Sequence, residues 1–321
     1  MQDGDLEVIV RNVRSETSEI RSFVLEPKPG EALPPFEAGA HIDVFPIQGL
    51  VRQYSLMNDP ADCSRYVLGV KREQNGRGGS SAMHGTLQEG CTVRISRPKN
   101  HFSLRPNTGR NILLAGGIGV TPLLSMSQAL AARGADFELH YFARSNGELA
   151  FRGLITESAW SDRVSYHFGL VPPLLTEVLE EILRKPGADD AIYMCGPGPF
   201  MDLVRSSADG LGWAPGVIVA EHFSAEPPKL TPGADEFVVR LAKRGVEFVV
   251  PSDKAIIDVL REAGIEVQTS CEQGVCGTCV TPVLEGEPEH NDLFLSDEEH
   301  EAGLMTLCVS RSRSKLLVLD I

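Results

Sequence analysis

The segment Cys271-Glu-Gln-Gly-Val-Cys276-Gly-Thr-Cys279 puts three of the chain's seven cysteines into nine residues, and the next cysteine is Cys308. No other stretch constrains the fold as tightly. The pattern C-x4-C-x2-C, completed by a fourth cysteine after 28 further residues, is the plant-type spacing for a 2Fe-2S cluster held by four thiolates. A short loop wraps three sulfurs around one side, and a distant strand end brings the fourth. Gly274 and Gly277 would let backbone N–H groups turn toward the cluster sulfides. Zinc is the competing reading, but structural zinc usually draws on two C-x2-C-like pairs, and Cys308 has no such companion. Cys63, Cys91 and Cys195 lie outside the set. A cluster of this type has a potential on the order of -400 mV, suited to one-electron transfer.

The sequence around these cysteines has a consistent pattern. FVVRLAKRGVEFVVP reads as a hairpin, two alternating apolar runs about Lys243-Arg244-Gly245. KAIIDVLREAG reads as a short helix, apolar at Ile256, Ile257 and Leu260 and ending at Gly264. KLLVLDI closes the chain as a strand. Strand, strand, helix, cluster loop, strand resembles a plant-type ferredoxin over 236–321.

Composition narrows the setting. With 321 residues, 42% of them hydrophobic, the chain has material for more than one core. A formal net charge of -14 argues against a nucleic-acid partner and against an anionic membrane surface. The start, MQDGDLEVIV, shows no basic and apolar export signal. The longest apolar stretch, NILLAGGIGVTPLLSM, is too short and too broken by glycine and proline to span a bilayer. A cytoplasmic location is expected, where thiols stay reduced and clustered cysteines bind metal rather than form disulfides.

Upstream of the cysteine module, AEPPKLTPGAD reads as an extended linker over 227–235. Residues 110–224 alternate between strand patterns (RNILLAGG, FELHYFAR, VSYHFG, AIYMCGP, GVIVAEHFS) and helical candidates near 122–133, 150–159, 173–184 and 199–209. Such alternation predicts an α/β domain with a mostly parallel sheet. Its first turn, Gly116-Gly117-Ile118-Gly119-Val120-Thr121-Pro122, follows an apolar strand and opens a helix. Glycines there let a pyrophosphate approach the backbone at a helix N-terminus. Pro122 stands where the third glycine of G-x-G-x-x-G belongs, so a mere tight turn is the alternative. The fourth strand ends in Cys195-Gly196-Pro197. Both turns fall at strand carboxyl ends, where open parallel sheets bind ligands. The bland reading of Cys195 is a small buried residue.

The first 106 residues carry short strands (EVIVRNV, IRSFVLEP, AHIDVFP, VRQYSLMN, RYVLGVKR, CTVRISRP) separated by turns rich in Gly, Pro and Asp, which predicts an antiparallel Greek-key β-barrel. Arg52-Gln53-Tyr54-Ser55 lines a guanidinium, an aromatic ring and a hydroxyl along one strand. Asn75-Gly76-Arg77-Gly78-Gly79-Ser80-Ser81 is a glycine-rich turn ahead of a short helix, able to cradle a phosphate with Arg52 and Arg77 as charge partners. Taken singly, Tyr54 also reads as a packing aromatic and Arg77 as a solvated loop arginine.

R-x-Y-S, G-x-G-G-S, GGIG-x-TP, CGP and the four cysteines, in that order, resemble the phthalate dioxygenase reductase family over essentially the whole chain. The resemblance implies an FMN-binding β-barrel (1–106), an NAD-binding α/β domain (107–226), the linker (227–235) and a plant-type ferredoxin domain of β-grasp type (236–321). It implies that Arg52 meets the FMN phosphate, that Tyr54 packs against the flavin and that Ser55 lies near its reactive nitrogen. Gln53 lies between them. Gly69 and Lys71 would line the flavin, and Arg77, Gly78, Gly79 and Ser80 would form the phosphate turn, with Ser81 and Ala82 adjoining it. Gly116, Gly117, Gly119 and Thr121 match the nicotinamide-nucleotide turn, and Cys195, Gly196 and Pro197 the strand end near the nicotinamide. Arg144 falls after the second strand of that domain, in Arg144-Ser145-Asn146, where no acidic residue stands to hold a ribose diol. Glu221 and Phe223 fall where the family closes the flavin site. Cys271, Cys276, Cys279 and Cys308 match the cluster ligands.

The implied activity is NADH-dependent electron transfer to the terminal Rieske-type oxygenase of a ring-hydroxylating or O-demethylating system, with FMN, a 2Fe-2S cluster and NADH as cofactors. Ser55, Cys195 and Glu221 are the expected catalytic residues. A nicotinamide gives up two electrons together and the cluster takes one at a time; a flavin handles both, so it belongs between them. NADPH, a cytochrome P450 acceptor and a redox carrier or sensor without turnover stay open as alternatives. The family suggests a monomer. The acidic run from Glu285 to Glu301 reads as a solvated loop or as a docking face, Cys63 and Cys91 read as bystanders, and the eight histidines show no metal-site spacing.

Overall fold

The computed structural model describes residues 5–47, 50–74, 78–106, 109–223 and 236–321. The expected phosphate-turn residue Arg77 and the linker 227–235 lie outside them. The chain divides into two compact units, one ending at Phe223 and one from residue 224 to the C-terminus. No helix among the described residues is long and apolar enough to cross a membrane.

In the first unit, period-2 alternation builds an antiparallel sheet. Its strands are β1 (Leu6–Ser15), β2 (Ile20–Pro27), β3 (His41–Ile47), β4 (Leu50–Ser55), β5 (Tyr66–Lys71) and, after helix α1 (Gly79–Thr86), β6 (Thr92–Ile95). They are ordered β4-β3-β6-β1-β2-β5. An antiparallel bridge between Leu56 and Leu68 brings the two ends together into a near-barrel. Val8 and Val10, Phe23 and Leu25, Ile42 and Val44, Leu68 and Val70, and Val93 and Ile95 are the inward i, i+2 pairs of that core.

The parallel sheet follows. Its elements are β7 (Asn111–Gly116), α2 (Val120–Ala132), β8 (Phe137–Ala143), α3 (Arg152–Thr156), β9 (Val164–Phe168), α4 (Pro172–Ile182), β10 (Ala191–Cys195), α5 (Gly198–Gly210) and β11 (Ile218–Glu221). The strand order is β11-β10-β7-β8-β9, so consecutive crossovers run outward in both directions from β7. Helix α3 is shorter than the expected 150–159, because Phe151 adopts φ 60 just before it. Alternate residues of β7 enter opposite cores: Leu113 and Ala115 pack with α2, while Ile112 and Leu114 pack with α4 and α5. The α2 side is continuous with the barrel, since Ile20, Ala38, Met57 and Phe102 belong to the same cluster. Gln128 Nε2 donates to the Met57 carbonyl at 2.9 Å, and Tyr193 Oη accepts from Arg105 N–H at 2.8 Å across that seam.

The second unit is a mixed sheet ordered β13-β12-β18-β14-β16. Its elements are β12 (Phe237–Leu241), β13 (Val246–Val250), α6 (Ile256–Glu262), β14 (Val280–Glu285), β15 (Pro288–Glu289), α7 (Asp297–Glu301), β16 (Leu304–Thr306), β17 (Arg311–Ser312) and β18 (Leu316–Leu319). Parallel pairing of β12 with β18 joins the first and last strands, and Ile256, Ile257 and Leu260 of α6 pack on their inner face. Ser296 opens α7 with a capping box to Glu299.

Because Phe102 is buried in the core shared by the barrel and the parallel sheet, Phe102→Ala is expected to cost about 3–5 kcal/mol and to lower the unfolding midpoint of the whole first unit in one step. The two tryptophans, Trp160 and Trp213, both lie in that unit, so denaturant titration followed by tryptophan fluorescence measures it directly.

Candidate functional site

The sheet order places the carboxyl ends of β7 and β10 side by side, where the crossover direction reverses. Open parallel sheets bind ligands at such a point. The expected glycine turn after β7 is a single 3-10 turn, Gly117–Gly119, leading into α2. Gly117 has φ 56 and nothing within 4 Å of where a Cβ would stand, which leaves its backbone open to a ligand. Gly119 is the opposite case. A Cβ there would lie 2.2 Å from the Cys195 carbonyl oxygen and 2.8 Å from Gly196 N. A Cβ at Gly116 would meet Pro197 Cδ at 2.9 Å. The two turns therefore interlock, and only glycine allows it. Thr121 Oγ1 donates back to the Ile118 carbonyl at 3.1 Å and tightens the turn.

At the same strand ends, Cys195 pairs in register with Glu221 of β11. Ser55, the last residue of β4, donates its hydroxyl to Glu221 Oε2 at 3.1 Å, 166 residues away in sequence. The structure thus brings together the three residues expected to be catalytic. The Glu221 carboxyl is pushed up to about 8 by burial, with the Ser55 hydrogen bond acting the other way. The Cys195 thiol is fully buried and held well above its ordinary value, first by burial and then by the Glu221 charge. It is no nucleophile in that state; it is a small, polarisable wall. Phe223, two residues on, is 39% exposed.

Next to Ser55, β4 presents Arg52 and Tyr54 on one face and Gln53 on the other, since alternate strand residues point oppositely. The Arg52 side chain lies over the start of α1: a Cβ on Gly79 would fall 2.4 Å from its Cγ and 2.5 Å from its Nε. The α1 N-terminus has Gly78 at φ 81 and no side-chain cap. An uncapped helix start beside a guanidinium suits a phosphate. The Ser80 hydroxyl is turned to Glu73, accepting its N–H at 2.9 Å, while Ser81 is exposed. The Tyr54 phenol is pushed upward by burial. Gly69 of β5 faces Phe151 and Thr121, whose atoms a Cβ would approach to 2.5 and 2.6 Å. Lys71 Nζ pairs with Glu73 Oε1 at 3.1 Å. Gln53 Nε2 is buried without a hydrogen-bond partner and lies across from Asp43 rather than beside Arg52 and Tyr54. An aromatic, an arginine and an uncapped helix end fit a flavin mononucleotide. Arg144 directly follows the carboxyl end of β8 and is exposed.

In the second unit, Cys271, Cys276, Cys279 and Cys308 converge. Cys271 and Cys276 are near enough to perturb one another's thiols, and so are Cys279 and Cys308. Among the described residues the group of three or more ligand atoms lying mutually within 4.8 Å is His290, Asp292 and His300, so no three cysteine sulfurs come that close. A tetrahedral zinc, with Zn–S near 2.3 Å, needs all four sulfurs within about 4 Å of one another. Four sulfurs spread more widely than that suit two irons with two thiolates each. Backbone N–H groups also serve the sulfurs: Gln273 N–H donates to Cys271 Sγ at 3.3 Å, and the N–H groups of Thr278 and Gly274 favour the charged forms of Cys276 and Cys308. Cys276 Sγ and Thr278 Oγ1 are hydrogen-bonded at 3.3 Å. Such donors stabilise thiolates. Gly274 and Gly277 have φ 71 and 68, and a Cβ on Gly277 would strike the Phe294 ring at 2.3 Å. The expected loop glycines are needed both for turning and for clearance.

Sequence reasoning missed Phe151, whose ring stands against Gly69, and Phe294 over Gly277; neither sits in a local motif. It also missed the histidines. Read as lacking metal-site spacing, His290 and His300 meet around Asp292 once α7 folds back. The acidic run 285–301 is mixed in character: Asp292 has a fully buried side chain, while Glu298 and Glu299 are exposed on α7.

Residues 239–313 match the family described as "2Fe-2S iron-sulfur cluster binding domain", which spans all four cysteines. The vanillate O-demethylase oxidoreductase of Pseudomonas sp. (strain HR199 / DSM 7063) is 43% identical, covering 98% of this chain and 100% of the relative. Among solved structures, phthalate dioxygenase reductase, described as modular for electron transfer from pyridine nucleotides to 2Fe-2S, superposes with a TM-score of 0.75 at 38% identity, covering 100% of this chain and 99% of that one. An intact type IV self-sufficient cytochrome P450 monooxygenase matches with a TM-score of 0.84 at 33% identity, covering 99% of this chain and 41% of that one.

The raised Glu221 carboxyl carries a pH signature. Its stabilising proton is fully present below the unfolded value of 4.5 and is lost as pH rises through about 8. The stability of the first unit should therefore fall across that window, and Glu221→Gln should flatten the fall. Denaturant midpoints of both proteins between pH 5 and 9 measure this; parallel curves would contradict it.

Proposed function

The chain belongs to the phthalate dioxygenase reductase family, and from that premise we propose that it takes a hydride from NADH and passes electrons singly to a terminal Rieske-type oxygenase. When bound, FMN accepts the electron pair and the 2Fe-2S cluster hands electrons on one at a time. The observation that carries the reading is the convergence of Ser55, Cys195 and Glu221 beside the interlocked turns at Gly119 and Gly196.

The residues divide the work as follows. Arg52 and the N–H groups at Gly78, Gly79, Ser80 and Ser81 hold the FMN phosphate, with Arg77 as a further charge partner. Tyr54 would pack along the ring system, with Gly69 holding Phe151 and Thr121 close beneath the strand, Lys71 at the rim and Gln53 behind the strand. The N–H groups of Gly116, Gly117 and Gly119 and the start of α2 at Thr121 receive the dinucleotide's pyrophosphate. Cys195, Gly196 and Pro197 would form a wall for the nicotinamide, and Phe223 would cover the outer side of the flavin. Arg144 faces the adenosine ribose. The Ser55 hydroxyl, oriented by Glu221, supplies a hydrogen bond at the reacting edge. Catalysis of this kind is largely positioning: holding donor against acceptor removes several kcal/mol of barrier, about 7–11 at most. Cys271, Cys276, Cys279 and Cys308 would hold the two irons of the cluster. The domains are 1–106, 107–226 and 236–321, joined by 227–235, and the protein acts as a cytoplasmic monomer.

An O-demethylating oxygenase for an aromatic acid such as vanillate is the favoured acceptor, because a named vanillate O-demethylase oxidoreductase aligns over nearly the whole chain. A cytochrome P450 acceptor is the second reading, supported by the TM-score of 0.84 to a reductase-fused P450.

Purified chain and NADH should support turnover of a vanillate-demethylating Rieske oxygenase component, with coupled NADH loss and formaldehyde release. Turnover of a P450 but not of the Rieske component would favour the second reading. In stopped flow, Ser55→Ala should slow flavin reduction by NADH about 10²-fold, the scale of a small misplacement at the reacting centre, without loss of bound flavin. An unchanged reduction rate would remove Ser55 from the site.

A further inference from the structure

Segment 290–295, between β15 and α7, presses on the cysteine loop at Gly277, through Phe294, and at Gly274. Leu293 N–H donates to the Gly274 carbonyl at 2.9 Å. The Gly274 N–H favours the charged form of Cys308. The space where a Cβ of Gly274 would stand is filled by Val309 Cγ2 at 2.6 Å and by Asp292 Cα and Cβ at 3.0 Å. Asn291 Nδ2 donates to the Val309 carbonyl at 3.2 Å, one residue beyond Cys308. Asp292 anchors this contact. Its side chain is fully buried. Its Oδ2 accepts Leu295 N–H at 2.8 Å, and its Oδ1 lies 3.2 Å from His300 Nε2 on α7.

His290, Asp292 and His300 have the composition of a metal site, but the ring geometry opposes one. The two imidazoles stack with centroids 3.7 Å apart and planes 21° apart. Their in-plane lone pairs run side by side and do not converge on a common ion, as the ligands of a tetrahedral or octahedral metal must. The arrangement is a buried carboxylate with a histidine lid, set behind the loop.

We propose that Asp292 is a positioning residue for the cluster loop: it fixes Gly274 against Cys308 and, through its buried charge, lowers the potential of the cluster that the loop carries. The inference rests on the reading of that loop as a 2Fe-2S site. Reduction adds one negative charge to the cluster. A carboxylate behind the loop, screened by protein rather than by water, opposes that charge. The His300 donor offsets part of the carboxylate's field.

The test uses the full chain isolated with its flavin and cluster. Asp292→Asn keeps the shape and an oxygen acceptor but removes the charge. Iron content, the cluster's EPR signal and the midpoints of cluster and flavin are measured in one redox titration. The expected result is normal iron and an unchanged flavin midpoint. The cluster midpoint should move upward by about 59 mV, a tenfold change in the one-electron equilibrium. A loaded variant with the wild-type cluster midpoint overturns the inference. Should Asp292→Asn load no iron, His300→Ala decides: it leaves the carboxylate in place without its donor, so the midpoint should move downward, and no movement overturns the inference. Wild-type protein without iron would overturn the cluster reading itself, a result separate from any shift in potential.

Discussion

A Cβ on Gly119 would stand 2.2 Å from the Cys195 carbonyl oxygen, and the reacting end of the first unit depends on that missing atom. Because the turn after β7 closes onto the end of β10, Cys195 is held in register with Glu221, and Glu221 is within reach of Ser55 on the barrel. Three residues far apart in sequence are thereby gathered at one edge. The continuous core of barrel and parallel sheet, with Phe102 and Met57 inside it, keeps that edge rigid. Close packing transmits small misplacements, so the core and the chemistry are one mechanical problem.

The second unit solves a different problem with the same device. Four thiolates repel one another, and each needs donors to stay ionised. Backbone N–H groups supply them only if the loop turns through left-handed conformations, at Gly274, Gly277 and, without glycine's freedom, Glu272 at φ 52. The loop has neither helix nor strand from 263 to 279, so neighbouring segments hold its shape: Phe294 over Gly277, Asp292 and Val309 against Gly274. A low-potential site of this kind is built from enclosure as much as from its ligands.

Much of this was legible in the sequence, because it is written in local periods. Val8/Val10, Ile42/Val44 and Val93/Ile95 alternate as half-buried strands do, and the apolar run NILLAG is a strand buried on both faces. The cysteine spacing and the glycine turn were equally plain. What the sequence hid is long-range. Nothing near Gly69 announces Phe151, and nothing near Phe151 announces its φ of 60, which shortens α3 from its expected span. Nor does an acidic run reveal which carboxylate is buried; Asp292 is singled out by the fold-back of α7, not by its neighbours in sequence. Strands β14 and β16 escaped notice because one is six residues long and the other three, with little alternation between them. Arg77 and the proline-rich linker lie outside the described residues, so their expected roles rest on resemblance.

The central claim is that two-electron chemistry in the first unit is coupled to one-electron chemistry in the second. Anaerobic titration of the purified chain with NADH, followed by visible absorbance, tests it most directly. The account predicts that flavin and iron–sulfur bands both bleach and that the titration saturates at about three electrons per chain, two for the flavin and one for the cluster. Bleaching of the flavin alone, or of neither band, would contradict it.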